Sequence, residues 1–331
     1  MTEAFATSDK RRRMTYMLAG DYRPLLDVAL PQSGLRGMWR KWRLHACYYL
    51  PKKPLDEQQK LFVERVKALV GGHLTSYVLY TTDLGQTRWR GVLQSEDQLF
   101  SVKAFQSRDD ANHEFTQTKI VEQYFTGPFI VPHVVQCQDG LMISRFIPRS
   151  RAILIEDSVL DRLFFTTQEL VNKATAFKVP KDIVPLNFPG LFVKLENSAL
   201  TRAVKEWLIE HPDQMPIIPI HGDMTPWNIY VDGNERLVLS SFERAAWHVP
   251  FYDVFHFHLQ PQALLGRPTQ SVHKLLAGMP WESYPWLEQA LVLYLIDQLC
   301  CDLGDLYDKQ YNDPWLLPMI RKKEKWLAEV L

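Results

Sequence analysis

The sequence has few cysteines and no net charge, and these absences exclude several classes of protein. Its four cysteines are too few and too irregularly spaced for a disulfide framework, and the adjacent pair Cys300 and Cys301 lacks a metal-ligand spacing. Lys plus Arg equals Asp plus Glu, at 38 each, so no overall field attracts nucleic acid. There is no internal repeat and no low-complexity stretch. We therefore expect an ordinary globular protein rather than a secreted, nucleic-acid-binding or repeat protein.

Long apolar runs are also missing. The most apolar stretch, residues 287–303, is interrupted by three acidic residues, which argues against a membrane span. The basic run at residues 10–13 is not followed by the apolar segment of a secretory signal. These observations predict a cytoplasmic protein.

The first 60 residues differ from the rest, because they hold twelve Lys or Arg against six Asp or Glu. Within them, Arg36–Arg43 alternates basic and bulky aromatic residues. Such a segment could contact an anionic membrane surface or an acidic glycan. Alternatively, its tryptophans pack on the main body while the arginines stay in solvent. Both interpretations stay open, and we treat residues 1–70 as a basic, aromatic N-terminal extension.

Periodicity divides the remainder into a sheet-rich part, residues 71–147, and a helical part, residues 148–331. The first part is preceded by a predicted helix at 56–70 that Gly71 ends. Its predicted strands lie at 76–81, 88–94, 98–105, 131–136 and 141–146, with a helix at 108–125 between the third and the fourth. The predicted helices of the second part lie at 156–178, 198–211 and 286–303. The pattern predicts an α+β protein with a small antiparallel-sheet lobe and a larger helical lobe.

The strongest chemical signal is the segment Ile220–Ile229, which lies between an apolar run and a strand-like run. A tight loop here would hold the carboxylate of Asp223 and the carboxamide of Asn228 five residues apart. Phosphoryl transfer needs such a pair: the carboxylate positions or deprotonates the attacking hydroxyl, and the amide oxygen helps to hold Mg²⁺.

These residues, H-G-D-x-x-P-x-N, closely resemble the catalytic loop of the aminoglycoside phosphotransferases and choline kinases. The resemblance implies a two-lobed, protein kinase-like fold that uses ATP and Mg²⁺. It also implies that Asp223 is the catalytic base, Asn228 a metal ligand and His221 an organiser of the loop. It extends over about residues 75–305.

Further positions follow from the same resemblance. Phe100–Phe105 is similar to the family strand whose lysine, here Lys103, holds the nucleotide phosphates. Glu114 in the following helix would be the acidic partner that keeps the ammonium aimed at phosphate.

The segment Leu141–Pro148 looks like the connection where adenine binds, which makes Ser144 and Phe146 cofactor-binding candidates. The phosphate-cradling loop would lie at 82–87. Its single glycine is Gly85.

One family position is altered. The strand after the catalytic loop should end in a metal-binding Asp, but the run Leu237–Ala245 has Ser241 there. A neutral hydroxyl is a poor ligand for Mg²⁺. Three explanations stay open: Glu243 replaces the missing ligand, the protein is a pseudokinase, or the serine is a disabling substitution. Downstream, the resemblance makes Asp253 a support of the catalytic loop.

Three histidines, at 248, 256 and 258, are interpreted as partly buried structural residues, because a His-x-His pair without a third ligand is a weak metal signal. The sequence as a whole predicts an ATP-dependent phosphotransferase acting on a hydroxyl of a small molecule or glycan. The alternatives are a nucleotide-binding pseudokinase or scaffold, and an adaptor that docks through the N-terminal extension. The acceptor and the oligomeric state are not predicted.

Overall fold

The structure is a computed structural model. It describes residues 5–9, 14–20, 25, 53–71, 74–81, 87–125, 127–152, 157–185, 190, 198–265, 271–277, 284, 286–307 and 314–331. The predictions for Gly85 and for Arg36–Arg43 lie outside these residues. The chain divides into two units, residues 1–154 with 227–243 and residues 155–226 with 244–331.

The first unit is built on an antiparallel sheet of eight strands. They are β1 (Phe5–Asp9), β2 (Met14–Ala19), β3 (Lys53–Pro54), β4 (Leu74–Thr81), β5 (Thr87–Ser95), β6 (Gln98–Phe105), β8 (Val134–Gln138) and β9 (Leu141–Arg145). Their order in the sheet is β3-β1-β2-β4-β5-β6-β9-β8. A second sheet contains β10 (Arg151–Ala152), β13 (Ile229–Val231), β14 (Leu237–Leu239) and β7 (Phe129–Ile130). The predicted central strands are confirmed, and three strands from the first 70 residues extend the sheet beyond β4.

Helix α1 (Glu57–Leu69) covers this sheet through Val63 and Val66, which lie three residues apart and are buried in the same core as Leu79 and Leu93. It begins with a capping box. The Asp56 side chain accepts from the Gln59 N–H at 2.8 Å, and the Gln59 side chain accepts from the Asp56 N–H at 3.1 Å.

Helix α2 (Arg108–Tyr124) places an acid on its buried face. The Ser107 side chain caps it by accepting from the Asp110 N–H at 3.0 Å. The buried side chains of this helix recur at helical spacing and are Ala111, Glu114, Thr118 and Val121. Glu114 therefore lies in the apolar stripe, 1% exposed, because the helix period carries it inward.

The second unit contains β11 (Ala176–Lys178), β12 (Met215–Ile220) and β15 (Ala246–His248), which form a three-stranded sheet. Its helices are α3 (Asp157–Asn172), α4 (Ser198–Glu210), α5 (Tyr252–Leu264), α6 (Val272–Leu275), α7 (Leu287–Tyr307) and α8 (Leu316–Val330). Helices α5, α7 and α8 pack together, and α7 is buried on most of its surface. No helix within the described ranges is both long and apolar enough to cross a bilayer.

One secondary-structure prediction is wrong. The helix expected over 156–178 ends at Asn172, and Ala176–Lys178 forms β11, which pairs antiparallel with Met215–Ile217. The backbone of β11 completes hydrogen bonds along the edge of β12. Such tertiary pairing overrides the local periodicity of the segment.

Candidate functional site

The first unit brings two cations together on one face of its sheet. Arg90 of β5 is directly opposite Lys103 of β6 in the antiparallel register, so both side chains leave the same face. The Lys103 ammonium donates to Glu114 of α2, as the resemblance implied. The predicted Lys–Glu pair is therefore formed.

A second carboxylate, Glu243, joins this pair. Its Oε1 accepts from Lys103 Nζ at 3.0 Å and from Arg90 Nη2 at 2.8 Å. Two cations and two carboxylates give the cluster a formal charge of zero. We call these four residues, Arg90, Lys103, Glu114 and Glu243, the charge cluster.

The pKa values of the two acids in the charge cluster are shifted in opposite directions. Burial raises the pKa of Glu114, against the opposing effect of the Lys103 ammonium. Glu114 Oε2 is buried and has no hydrogen-bond partner within the described part of the chain. For Glu243, burial also disfavours the charged form, but Lys103 and Arg90 together lower its pKa to about 2. Glu243 is thus firmly ionised.

The residues predicted to hold Mg²⁺ surround the turn after β14. The Asn228 carbonyl accepts from the Ser240 N–H and from the Ser240 hydroxyl, both at 3.0 Å, which ties this turn to the start of β13. Ser241 has a φ of 69°, a left-handed conformation that Asp and Asn tolerate better than Ser.

The predicted metal ligands Asn228, Ser241 and Glu243 fit a divalent cation poorly. Glu243 is the charged oxygen ligand among them, and two cations already neutralise it. Ser241 offers a neutral hydroxyl, whereas Mg²⁺ prefers carboxylates. Among the residues that the structure describes, no group of three or more His, Cys, Asp or Glu side chains is placed to hold a metal ion.

The predicted adenine-binding residues lie in β9 and directly after it. Ser144 is buried in β9, opposite Ser101 of β6. The Phe146 N–H donates to the Leu99 carbonyl at 2.9 Å, so this N–H is already used within the first unit. An adenine ring at this segment would have to use other backbone groups.

In the second unit, the predicted catalytic loop leaves β12 and is held by Asp253 at the start of α5. The Asp253 carboxylate accepts from the N–H of His221 at 2.7 Å and from that of Gly222 at 2.9 Å. Gly222 has a φ of 79°, and a Cβ there would lie 2.0 Å from the Arg244 carbonyl oxygen, so only glycine fits. Burial raises the pKa of Asp253 to about 7, against the two backbone donors.

Asp223 is held by a histidine. His256 of α5 is fully buried, and its Nε2 lies 3.1 Å from Asp223 Oδ1. Burial lowers the pKa of His256, so its imidazole is neutral at pH 7. Nε2–H then donates to Asp223, and Nδ1 accepts from the Tyr294 hydroxyl at 3.4 Å. Burial opposes ionisation of Asp223, but the hydrogen bond from His256 and nearby positive charge lower its pKa.

Sequence reasoning missed two residues of these sites, Arg90 and His256. The register signal for Arg90 was present, because Arg90 and Lys103 are equidistant from the hairpin turn at Glu96 and Asp97. The sequence alone predicts a structural role for His256. This residue lies one helical turn after Asp253 on α5, which puts both side chains on the face that meets the loop.

The antiparallel sheet, the Lys–Glu pair and the loop held by Asp253 are features of a protein kinase-like fold. Solved structures agree. Choline kinase LicA from Streptococcus pneumoniae aligns with a TM-score of 0.55 and 16% identity, over 82% of this chain and 99% of that chain. The amicoumacin kinase hAmiN, in complex with AMP-PNP, Ca²⁺ and Ami, aligns with a TM-score of 0.51 and 12% identity, over 83% and 94%.

Aminoglycoside phosphotransferase APH(4)-Ia aligns with a TM-score of 0.50 and 11% identity, over 81% of this chain and 98% of that chain. At these identities the likeness shows the fold. No protein-family model matches the sequence, and no curated protein sequence matches it. The predicted fold of the aminoglycoside phosphotransferases and choline kinases is therefore confirmed.

Proposed function

We propose that this protein binds ATP through its first unit and transfers a phosphoryl group to a hydroxyl of a small molecule or glycan. The observation that carries the proposal is the Lys103 ammonium, which the buried carboxylate of Glu114 fixes in place. Structural neighbours support it, since LicA has been solved in complex with AMP and hAmiN in complex with AMP-PNP.

The residues predicted to bind the nucleotide each have a role in this proposal. Lys103 contacts the phosphates, and Glu114 restrains its long side chain. Ser144 and Phe146 lie beside adenine, and Gly85, outside the described residues, keeps its predicted role at the phosphates.

Asp223 orients the acceptor hydroxyl and takes up its proton, and His221 keeps the loop in shape. The low pKa of Asp223 keeps it ionised at neutral pH, as a proton acceptor requires.

We assign no step to a metal ion. The predicted ligands Asn228, Ser241 and Glu243 fit Mg²⁺ poorly, for the reasons of charge given above. The positive charge that this site offers to phosphate comes from Lys103 and Arg90.

Nucleotide-dependent stabilisation of the full chain tests the binding half of the proposal. ATP at about 100 times its Kd should raise the melting temperature by roughly 5 °C. Lys103→Met should abolish the shift, whereas Lys60→Met, a lysine that is 56% exposed, should not. A wild-type protein whose melting temperature ignores ATP, with and without Mg²⁺, would rule the proposal out.

ADP release in the presence of choline, amino sugars and other hydroxyl compounds tests the transfer half. With an acceptor found, Asp223→Asn should lower the rate by about 10²–10⁴-fold while leaving the ATP-induced melting shift unchanged. Asn keeps an oxygen that accepts from His256, so the fold should survive. An unchanged rate in this variant would remove Asp223 as the proton acceptor.

A second candidate is a pseudokinase that binds nucleotide without transferring phosphate. Ser241 favours it, because a hydroxyl stands where the family carries a metal-binding carboxylate. The candidate predicts ATP binding without ADP release for any acceptor. In Ser241→Asp, the Kd for ATP should then be about tenfold lower with Mg²⁺ than without it. Acceptor-dependent ADP release by the wild type would exclude this candidate.

A further inference from the structure

Arg90 and Lys103 are like charges placed directly opposite each other on neighbouring strands, an arrangement that is unfavourable by itself. A single carboxylate oxygen offsets the repulsion between the two cations. Glu243 Oε1 accepts from Arg90 Nη2 and from Lys103 Nζ at the same time. The pair of cations is therefore a site for an anionic oxygen, and the chain's own carboxylate fills it.

The chemistry of this site suits phosphate. A guanidinium and an ammonium are the side chains that bind phosphate oxygens most strongly, the first through paired N–H groups and the second as a point charge. The removal of Glu243 from the charge cluster would leave a formal charge of +1, two cations against Glu114. A phosphate group can restore neutrality, as Glu243 does.

Exposure indicates which carboxylate can be displaced. The Glu114 side chain is 1% exposed and lies against Lys103 from inside the unit, so a ligand from solution cannot replace it. Arg90 is 30% exposed and Glu243 24% exposed, and Glu243 lies on a turn rather than in a strand or helix. Glu243 is therefore the exchangeable anion of the charge cluster.

We infer that Arg90 is a phosphate-binding residue that supplies the positive charge a divalent cation would otherwise bring, and that nucleotide phosphates displace Glu243 from Arg90 and Lys103. This inference rests on the proposed nucleotide binding. It follows from the poor fit of Asn228, Ser241 and Glu243 to Mg²⁺, because a site without a good metal ligand must neutralise phosphate with its own cations. Glu243 is then a competitor of the nucleotide and not a metal ligand.

Isothermal titration of the full chain with ATP, in EDTA and in Mg²⁺, tests the inference. In the wild type the Kd for ATP in EDTA should lie within about threefold of that in Mg²⁺. Arg90→Gln should raise the Kd in EDTA about tenfold, as expected for the loss of a charge-assisted contact. The control Arg108→Gln removes an arginine of the same unit that is 75% exposed and should change nothing.

Two further probes separate phosphate binding from a structural effect. Adenosine has no phosphate, so its Kd should be the same in wild type and Arg90→Gln. Inorganic tripolyphosphate has no base and should lose affinity in Arg90→Gln as ATP does. If Arg90→Gln does not fold, Arg90→Lys keeps the charge and should weaken ATP about threefold, since it loses the paired N–H groups.

The direction in which Glu243→Gln changes the Kd decides the role of this residue. If Glu243 competes with phosphate, Glu243→Gln should lower the Kd for ATP and for tripolyphosphate in EDTA about tenfold. The control Glu57→Gln, at an acid that is 90% exposed, should not change the Kd. If Glu243 is a metal ligand, Glu243→Gln would instead weaken binding in Mg²⁺.

The outcomes separate the inference from the function beneath it. ATP binding that requires Mg²⁺, an Arg90→Gln effect no larger than that of Arg108→Gln, or weaker binding by Glu243→Gln would each overturn the inference and leave nucleotide binding standing. Absence of ATP binding in both EDTA and Mg²⁺ would overturn both.

Discussion

The two units hold the acids of their candidate sites in different ways. In the first unit, Glu114 and Glu243 are held by the cations Lys103 and Arg90. In the second, Asp253 accepts from two backbone N–H groups, and Asp223 from the neutral imidazole of His256. Positive side chains therefore neutralise Glu114 and Glu243, whereas neutral N–H groups bind Asp253 and Asp223.

The difference decides what each region can do. A cluster that sums to zero can exchange one anion for another, which suits a phosphate site. Asp223, whose pKa is lowered, stays ionised, which suits a proton acceptor. Asp253, whose pKa burial raises to about 7, serves to fix the loop through the two N–H groups. Replacing one residue should consequently disturb the first region through unbalanced charge and the second through unpaired hydrogen-bonding groups.

The largest effect is expected at Asp253. Asp253→Ala leaves the buried N–H groups of His221 and Gly222 without an acceptor, which should lower the free energy of unfolding by about 3 kcal/mol. Urea denaturation measures it. The control Asp213→Ala, at an exposed acid of the same unit, should cost less than about 0.5 kcal/mol. A loss at Asp253 as small as that at Asp213 would mean that the carboxylate does not hold the loop.

The next largest effect is expected for Lys103→Met. It should lower the free energy of unfolding by about 2 kcal/mol at pH 8, because it leaves the buried Glu114 carboxylate without its cation. The raised pKa of Glu114 gives the loss a pH dependence. At pH 5 more of this carboxyl is protonated, so the same substitution should cost less.

The double variant Lys103→Met with Glu114→Gln is the control for this prediction. It removes the uncompensated charge and should recover part of the stability, a coupling that a double-mutant cycle measures. An equal loss at pH 5 and pH 8, with no recovery in the double variant, would show that charge is not what holds Glu114.

A smaller effect should appear in acid. Lys103 and Arg90 lower the pKa of Glu243 to about 2, from 4.5, so between these values the unfolded chain binds more protons than the folded one. Glu243 therefore stabilises the fold above pH 4.5, and this contribution is lost as the pH falls towards 2. The free energy of unfolding of the wild type should exceed that of Glu243→Gln by about 1 kcal/mol at pH 6, and this difference should shrink at pH 3. A gap that is constant from pH 6 to pH 3 would contradict this linkage.

The local parts of the fold could be predicted from the sequence. Alternation and turn residues located β4 to β6 within two residues, and a glycine with an Asp and a Pro marked the loop at 221–228. The resemblance predicts the roles of Lys103 and Glu114. The helix period buries Glu114. The strand period sets Lys103 on the sheet face opposite to Val102 and Ala104 of the core. The signals were sufficient because each depends on neighbours that are near in sequence.

The remaining features depend on contacts between distant segments. Glu243 lies 140 positions from Lys103, so no spacing rule could show that its carboxylate is bound to two cations rather than exposed to a metal. His256 reaches Asp223 because α5 packs beside the loop, and β11 forms because β12 offers an edge. Burial and pairing of this kind arise only in the folded chain.

The smallest effect is expected at Tyr294 of α7, whose hydroxyl contacts the histidine that holds Asp223. Tyr294→Phe removes a donor that lies 3.4 Å from His256 Nδ1, a long hydrogen bond, and keeps the ring that packs edge-on against Tyr252. It should cost about 0.5 kcal/mol and raise the pKa of His256, because the hydroxyl favours the neutral imidazole.

Tyr252→Phe is the matched contrast for that change. The Tyr252 hydroxyl donates to Asp297 at 2.6 Å and accepts from the buried amide of Gln298 at 2.6 Å, so Tyr252→Phe takes a partner from each of them and should cost about 2 kcal/mol. Urea denaturation gives both costs, and NMR titration of the histidine ring gives the pKa. If Tyr294→Phe costs as much as Tyr252→Phe and leaves the pKa of His256 unchanged, the imidazole is held by packing, and Asp223 owes its ionised state to nearby positive charge instead.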